Sequence, residues 1–187
     1  MKGLNLGCGF DIRAGWVNVD QAYPADQHRA DGTVLLRHDL RTPLPFEPDA
    51  FDIVYTSHFL EHLDTLDAVE LLKRTLSVMK PGALTRHCIP DARLIISAYV
   101  EKREDYMRTI DRLTQEHLPP PQMRTPIDYI TGAAHGWGHK CLYDPAKGIA
   151  VLKAAGFVDV REDAFDPSVD IENRREVSFY VVGRAPG

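Results

Sequence analysis

The chain has 187 residues, 44% of them hydrophobic and 26% charged, with a formal net charge of −5. That composition suits one soluble domain with a single core, and no apolar run approaches the roughly 20 residues of a membrane span. Duplex-binding proteins usually carry a basic patch, whereas the basic clusters at 101–105 (EKRED) and 172–176 (ENRRE) are interleaved with acids. They read as solvated faces, so neither a nucleic-acid nor a membrane partner is expected.

The first ten residues, MKGLNLGCGF, turn glycine-rich too early for a secretory leader, and a strand from residue 2 leaves no room for one. The cysteines Cys8, Cys88 and Cys141 are odd in number and far apart, which points to a reducing cytoplasm rather than a disulfide scaffold. Residues 2–6 read as a short apolar strand stopped by Gly7. Strands follow at 16–19, ending at Asp20, at 34–38, ending at Asp39, and at 51–56 (FDIVYT). Leu66, Val69, Leu72, Leu76 and Met79 recur at helical spacing, with Asp64 as N-cap and Pro81-Gly82 as the stop. A strand at 83–89 leads to Asp91, which can cap a helix carrying Leu94, Ile95, Ala98 and Tyr99 on one face. A helix at 145–155 closes with Gly156, and strands at 157–160 and 177–182 end the pattern. Residues 21–32 and 117–139 read as irregular, the second being long for an ordinary connection.

Alternating strands and helices imply a doubly wound, mostly parallel sheet. Ligands in such sheets sit at the carboxyl ends of the strands. Gly7 to Gly9, Asp20, Asp39, Ser57-His58 and Pro90-Asp91 all follow predicted strands, so five groups converge on one edge. Two glycines after a strand permit a tight turn and close approach of a ligand to the backbone. A dinucleotide fingerprint would place a third glycine at position 12, where the chain has Ile12. A carboxylate at Asp20 can accept from both hydroxyls of a ribose. Asp39 could meet an adenine amino group, or make an Asx turn before Arg41-Thr42-Pro43.

These blocks (LNLGCGF, GWVNVD, HDLRTPLPFEPDAFDIVYTSHFLEHL and LLKRTLSVMKPGALTRHCIPD, with GHKCLYDP and LKAAGF further on) resemble the class I S-adenosylmethionine-dependent methyltransferases. More closely they resemble a bacterial group of small predicted methyltransferases. The resemblance implies a Rossmann-like seven-stranded, mostly parallel sheet with the last strand antiparallel and reduced N-terminal helices. It implies S-adenosyl-L-methionine as cofactor, and a single domain over 1–187 with a lid-like insertion at about 98–140. By the same resemblance Asn5, Gly7, Cys8 and Gly9 approach the methionine part, Asp20 holds the ribose, and Asp39 and Leu40 flank adenine. Ser57 and His58 line the sulfonium end. Only ten residues separate Gly9 from Asp20, so the usual helix between the first two strands must be nearly absent. Ala83 replaces the second glycine of the family's PGG block.

A methyl transfer needs a base only when the nucleophile arrives protonated. Glu61 and His62 lie one turn beyond Ser57-His58, and the resemblance to the FEHF block of cyclopropane-forming relatives marks the same place. Together with His135 they are the candidate catalytic residues. His135, His139 and Cys141 raise a metal reading, but Gly136 and Gly138 break the helix that an HxxxH zinc pair needs, so no metal is expected. Residues 134–143, carrying His135, Trp137, His139 and Tyr143, are expected to form part of the acceptor pocket and to move on glycine hinges.

The acceptor is expected to be a small or carbohydrate-like molecule. The reduced N-terminal helices would leave one sheet face bare, which calls for a homodimer or for 98–140 folded back as a cover. Two other readings stand beside methyl transfer: a catalytically silent cofactor-binding partner subunit, and a nucleotide-dependent oxidoreductase.

Overall fold

The computed structural model describes residues 1–106 and 118–187, so residues 107–117 of the expected insertion lie outside the described residues. Among the described residues eight strands form one sheet: β1 (Gly3–Leu6), β2 (Val17–Val19), β3 (Gln27–His28), β4 (Val34–Leu36), β5 (Phe51–Ser57), β6 (Met79–Pro90), β7 (Val158–Asp163) and β8 (Ser178–Arg184). Their order is β3-β4-β2-β1-β5-β6-β8-β7. The pairs β1/β2, β1/β5, β2/β4 and β5/β6 are parallel, and β8 runs antiparallel to both neighbours. This is the Rossmann-like arrangement, with its last strand reversed as expected.

The count is eight rather than seven because β3 lies inside the stretch read as irregular. It pairs antiparallel with β4 across a tight turn. In that turn Asp31 Oδ1 accepts from Thr33 N at 2.9 Å, and Gly32 supplies a φ of +83°. A second correction concerns Pro81-Gly82. They sit inside β6, and the helix before them, α1 (Thr65–Leu76), has already ended. A third concerns 117–139. It contains α3 (Pro126–His135), started by a capping box between Thr125 and Asp128 with proline at the first turn. Asp64 stands at the N-cap of α1 but makes no cap bond, its carboxylate meeting Lys140 Nζ at 3.0 Å instead.

The pleat sorts side chains between two faces. Leu4, Leu6, Val54, Ile89, Phe179 and Val181 form the main core with α1 and α4 (Pro145–Ala155). Tyr55, Cys88 and Tyr180, which alternate with them, face the other way into a smaller cluster with Trp16, Phe165 and Val169. Arg13 lies 3.7 Å from the centre of the Tyr55 ring. Loops therefore cover this cluster, and the described residues of 98–140 that join a buried cluster do so elsewhere. There α3 packs on α2 (Ala92–Val100) through Ile95, Ala98, Tyr129, Ile130 and Ala133. With that face covered, the bare-sheet argument for a homodimer loses its premise.

No helix joins β1 to β2. The backbone groups such a helix would pair internally go instead to two asparagines. Arg13 N donates to Asn18 Oδ1 at 2.8 Å, and Asn18 Nδ2 donates to Arg13 O at 3.0 Å and Trp16 O at 3.1 Å. Asn5 Nδ2 donates to Asp11 O at 2.7 Å and Asn18 Oδ1 at 3.1 Å. Both asparagines are fully buried. Among the described residues no helix is long and apolar enough to cross a membrane.

His87 sits in mid-sheet with no exposure, its ring nitrogens 2.8 Å from Thr56 Oγ1 and 2.7 Å from Thr85 Oγ1. Burial pushes its pKa from 6.5 down to about 3. As pH falls below 6.5 the unfolded chain takes a proton that the folded chain refuses until about pH 3, so stability is lost across that window. Urea melts should show stability declining from about pH 7 to about pH 4. The decline should be shallower in His87→Gln, by up to about 1.4 kcal/mol per pH unit. Equal slopes in the two proteins would mean His87 titrates normally.

Candidate active site

The parallel strands deliver their carboxyl ends to one edge. After β1 the chain turns through Gly7 and Gly9, at φ +61° and +50°. Gly7 N donates to Val19 O at 2.9 Å and Gly9 N to Asp20 Oδ2 at 2.8 Å. The turn is thus fastened to the end of β2. A Cβ on Gly7 would lie 2.0 Å from the Phe59 ring, whereas one on Gly9 would meet nothing within 4 Å. Gly7 is needed for packing, and Gly9 leaves open space above the backbone. Cys8 is buried, its Sγ 2.9 Å from Tyr23 Oη, and burial pushes the thiol up to about 11, so it is a neutral packing group. Asp20 Oδ1 accepts from Ala22 N at 2.8 Å. Each of its oxygens holds one backbone N–H and keeps a lone pair for another donor.

Asp39 makes the Asx turn, accepting from Arg41 N at 3.0 Å and gripping the Arg41 guanidinium at 2.7 to 3.2 Å. That grip holds its carboxyl down at about 2. Leu40 is buried in the main core. Asp91 caps α2 through Arg93 N and pairs with the Arg93 side chain, so its carboxylate serves the helix start.

At the end of β5 the chain passes Ser57, buried, and His58, which takes a φ of +49°. Positive φ at a histidine stores strain. His58 N donates to Cys88 O at 2.9 Å, and His58 Nε2 lies 2.7 Å from Ser178 Oγ. A 3₁₀ turn, Leu60–His62, follows. Glu61 within it is 1% exposed, and neither carboxylate oxygen has a hydrogen-bond partner. Its Oε1 lies 3.9 Å from His58 Nδ1 and 3.9 Å from His139 Nε2. Desolvation drives the Glu61 carboxyl up to about 8 and, in the opposite sense, the His58 imidazole down to about 2. His62 is also lowered by burial, and its ring stacks edge-on against His139 at 4.8 Å between centroids. Lys140 N and Cys141 N both donate to Glu61 O, at 2.8 and 3.2 Å.

The structure thus brings Glu61 and His62 together with His139 and His58. It leaves His135 exposed at the end of α3, outside this group. Of the HxxxH pair, His139 is the one that joins this group. After His135 the backbone turns sharply through Gly136, Trp137 (φ +56°) and Gly138 (φ +78°), which returns His139 to the cluster. Gly132 is buried inside α3 and cannot serve as a hinge. Phe59, Tyr23 and Ser178 went unnoticed in the sequence, since each acts through a contact distant along the chain.

Residues 4–85 match the family model described as a methyltransferase domain. The match spans less than half of the chain and marks a likeness to such a domain. The cofactor such a domain implies is S-adenosylmethionine, and the open space over Gly9 beside the Asp20 carboxylate suits a ligand with a ribose. No curated protein matches the chain by sequence. Solved structures share the fold. A SAM-dependent methyltransferase from Archaeoglobus fulgidus is 16% identical with a TM-score of 0.55, over 98% of this chain and 85% of that one. A SAM-dependent methyltransferase from Methanosarcina mazei is 13% identical with a TM-score of 0.52, over 99% and 92%. A possible exported protein from Bordetella parapertussis is 16% identical with a TM-score of 0.55. There 99% of this chain is covered, but it spans only 62% of the other.

The two turn glycines should differ on substitution. Gly7→Ala combines a left-handed backbone with a collision against Phe59 and should cost more than about 2 kcal/mol in urea unfolding. Gly9→Ala meets open space and should cost about 1 kcal/mol. Equal costs would mean the Phe59 contact does not constrain the turn.

Proposed function

We propose that the protein transfers the methyl group of S-adenosylmethionine to a small-molecule or carbohydrate-like acceptor. The observation that carries this reading is the Phe59 contact. Phe59 packs on the glycine turn, and the two residues before it and the three after it place Ser57, His58, Glu61 and His62 beside that turn. A cofactor edge and a cluster of proton-handling groups are thereby adjacent.

On this reading the cofactor supplies an electrophilic methyl on a sulfonium, and the chain binds, aligns and shields it. Gly7, Cys8 and Gly9 lie along its methionine part, with Asn5 holding the turn from below. Asp20 takes the ribose hydroxyls on its remaining lone pairs. Asp39 and Leu40 flank adenine through the backbone of their turn, since the Asp39 carboxylate already grips Arg41 and the Leu40 side chain is buried in the core. Ser57 and His58 line the sulfonium end. Glu61 and His62 face the acceptor, and the neutral His62 imidazole can relieve a hydroxyl or ammonium nucleophile of its proton. Residues 134–143 wall the acceptor side, with Trp137, 43% exposed and 5.6 Å from the His139 ring, offering a flat face for a sugar ring. Orientation of this kind can supply roughly 7–11 kcal/mol of the barrier.

S-adenosylhomocysteine should raise the melting temperature by mass action, and Asp20→Ala should weaken its affinity by roughly 1–3 kcal/mol. Calorimetry showing no affinity in the wild type would end the reading, and unchanged affinity in a folded Asp20→Ala would remove Asp20 from the site. Acceptor mixtures offered with labelled cofactor would then identify the class of acceptor.

Trp137→Ala should lower transfer at least about tenfold, about 1.4 kcal/mol, with cofactor affinity within a factor of about three. Preserved turnover per folded molecule would show instead that Trp137 only packs.

A further inference from the structure

We propose that Glu61, His62 and His139 bind a divalent transition-metal ion. One ligand atom from each of the three lies within 4.8 Å of the others. Ligands at about 2.1 Å in a tetrahedral shell stand about 3.4 Å apart, so closing on a metal asks each pair of ligand atoms to approach by up to about 1.4 Å. The donor set is two imidazoles and one carboxylate, which suits zinc, iron, cobalt or nickel better than magnesium or calcium.

Three further observations support the site. Glu61 is buried with both carboxylate oxygens unpartnered. An uncompensated buried carboxylate is costly, and a cation at Oε1 removes the deficit. His139 Nδ1 lies 2.8 Å from Ala133 O. That carbonyl can only accept, so Nδ1 carries the proton and Nε2, 3.9 Å from Glu61 Oε1, is the nitrogen left to ligate, as in metal-binding histidines. The backbone that carries the ligands is also held in place. Lys140 N and Cys141 N fix the Glu61 turn, and positive φ at His58 and Trp137 brackets it. Arg174 is the nearby charge that opposes a cation, but it acts on Glu61 less than burial does.

The expectation of no metal weighed His135, His139 and Cys141, whereas the ligand atoms that come together are those of Glu61, His62 and His139. The ion would lower the pKa of an acceptor oxygen that bound to it. His62 would then act on the acceptor through the ion rather than as a free base. This role rests on the methyl-transfer reading, whereas metal uptake does not, so the two can fail separately.

The test is to strip the full chain with a chelator and titrate it with zinc in a calorimeter and with cobalt in a spectrometer. One equivalent per chain should bind, with a cobalt ligand-field band and a raised melting temperature. Glu61→Gln and His139→Asn should each weaken binding about tenfold or more, and the exposed His135→Ala should not. X-ray absorption of the zinc-loaded wild type gives a result that needs no variant. It should show imidazole scattering from two histidines and an oxygen shell. No uptake, uptake unchanged in folded Glu61→Gln and His139→Asn, or a shell lacking imidazole would overturn the proposal. Binding without any effect of S-adenosylhomocysteine on stability would uphold the metal site and count against the methyl-transfer reading.

Discussion

The buried pair of asparagine amides between β1 and β2 is the constraint on which the site depends. Asn5 and Asn18 face each other across adjacent strands and take up the polar backbone of residues 11–16. Buried backbone groups must find partners, and a helix would normally supply them between these strands. With two side chains doing so instead, ten residues suffice to carry the chain from Gly9 to Asp20. Gly9 N can then bond directly to the Asp20 carboxylate. The short connection also lays Arg13 and Trp16 over Tyr55, which closes the face that missing helices would leave open.

Much of this was legible in the sequence. Strands with apolar runs of four or more residues and the helix at 145–155 were found within a few residues, because periodicity and a terminal glycine are local signals. So were the groups at the strand ends, because parallel strands put every carboxyl end on one edge. The misses have physical causes too. β3 has two exposed residues and no apolar signature. The helix α3 follows a proline run that reads as a breaker, although Pro126 at its first turn and Asp128 three residues past Thr125 are start signals. Pro81 fits within β6 because its stretch precedes the register that pairs with β5 from Leu84 onward.

The choice between His135 and His139 shows the limit of spacing arguments. Four residues apart on a continuous helix, the two imidazoles would face the same way. The helix instead stops at Gly136, and two positive-φ residues reverse the chain. Only His139 returns to Glu61. The break in HxxxH separates the two histidines between elements and delivers one of them to a different partner set.

Glu61 links these parts of the molecule. Its carboxylate lies among imidazoles from two segments, and its carbonyl anchors the second of these through Lys140 N and Cys141 N. A group that central, left without a hydrogen bond on either oxygen, is poorly explained as packing: a leucine would fill the space at lower desolvation cost. Its carboxyl is neutral while isolated and becomes charged once a cation or a proton acceptor arrives. The same burial lowers the pKa of His58 and of His62 and favours their neutral forms. Acid and imidazoles are therefore pushed toward their uncharged forms by one cause, and an incoming ligand meets a pocket in which little charge must be displaced before new bonds form.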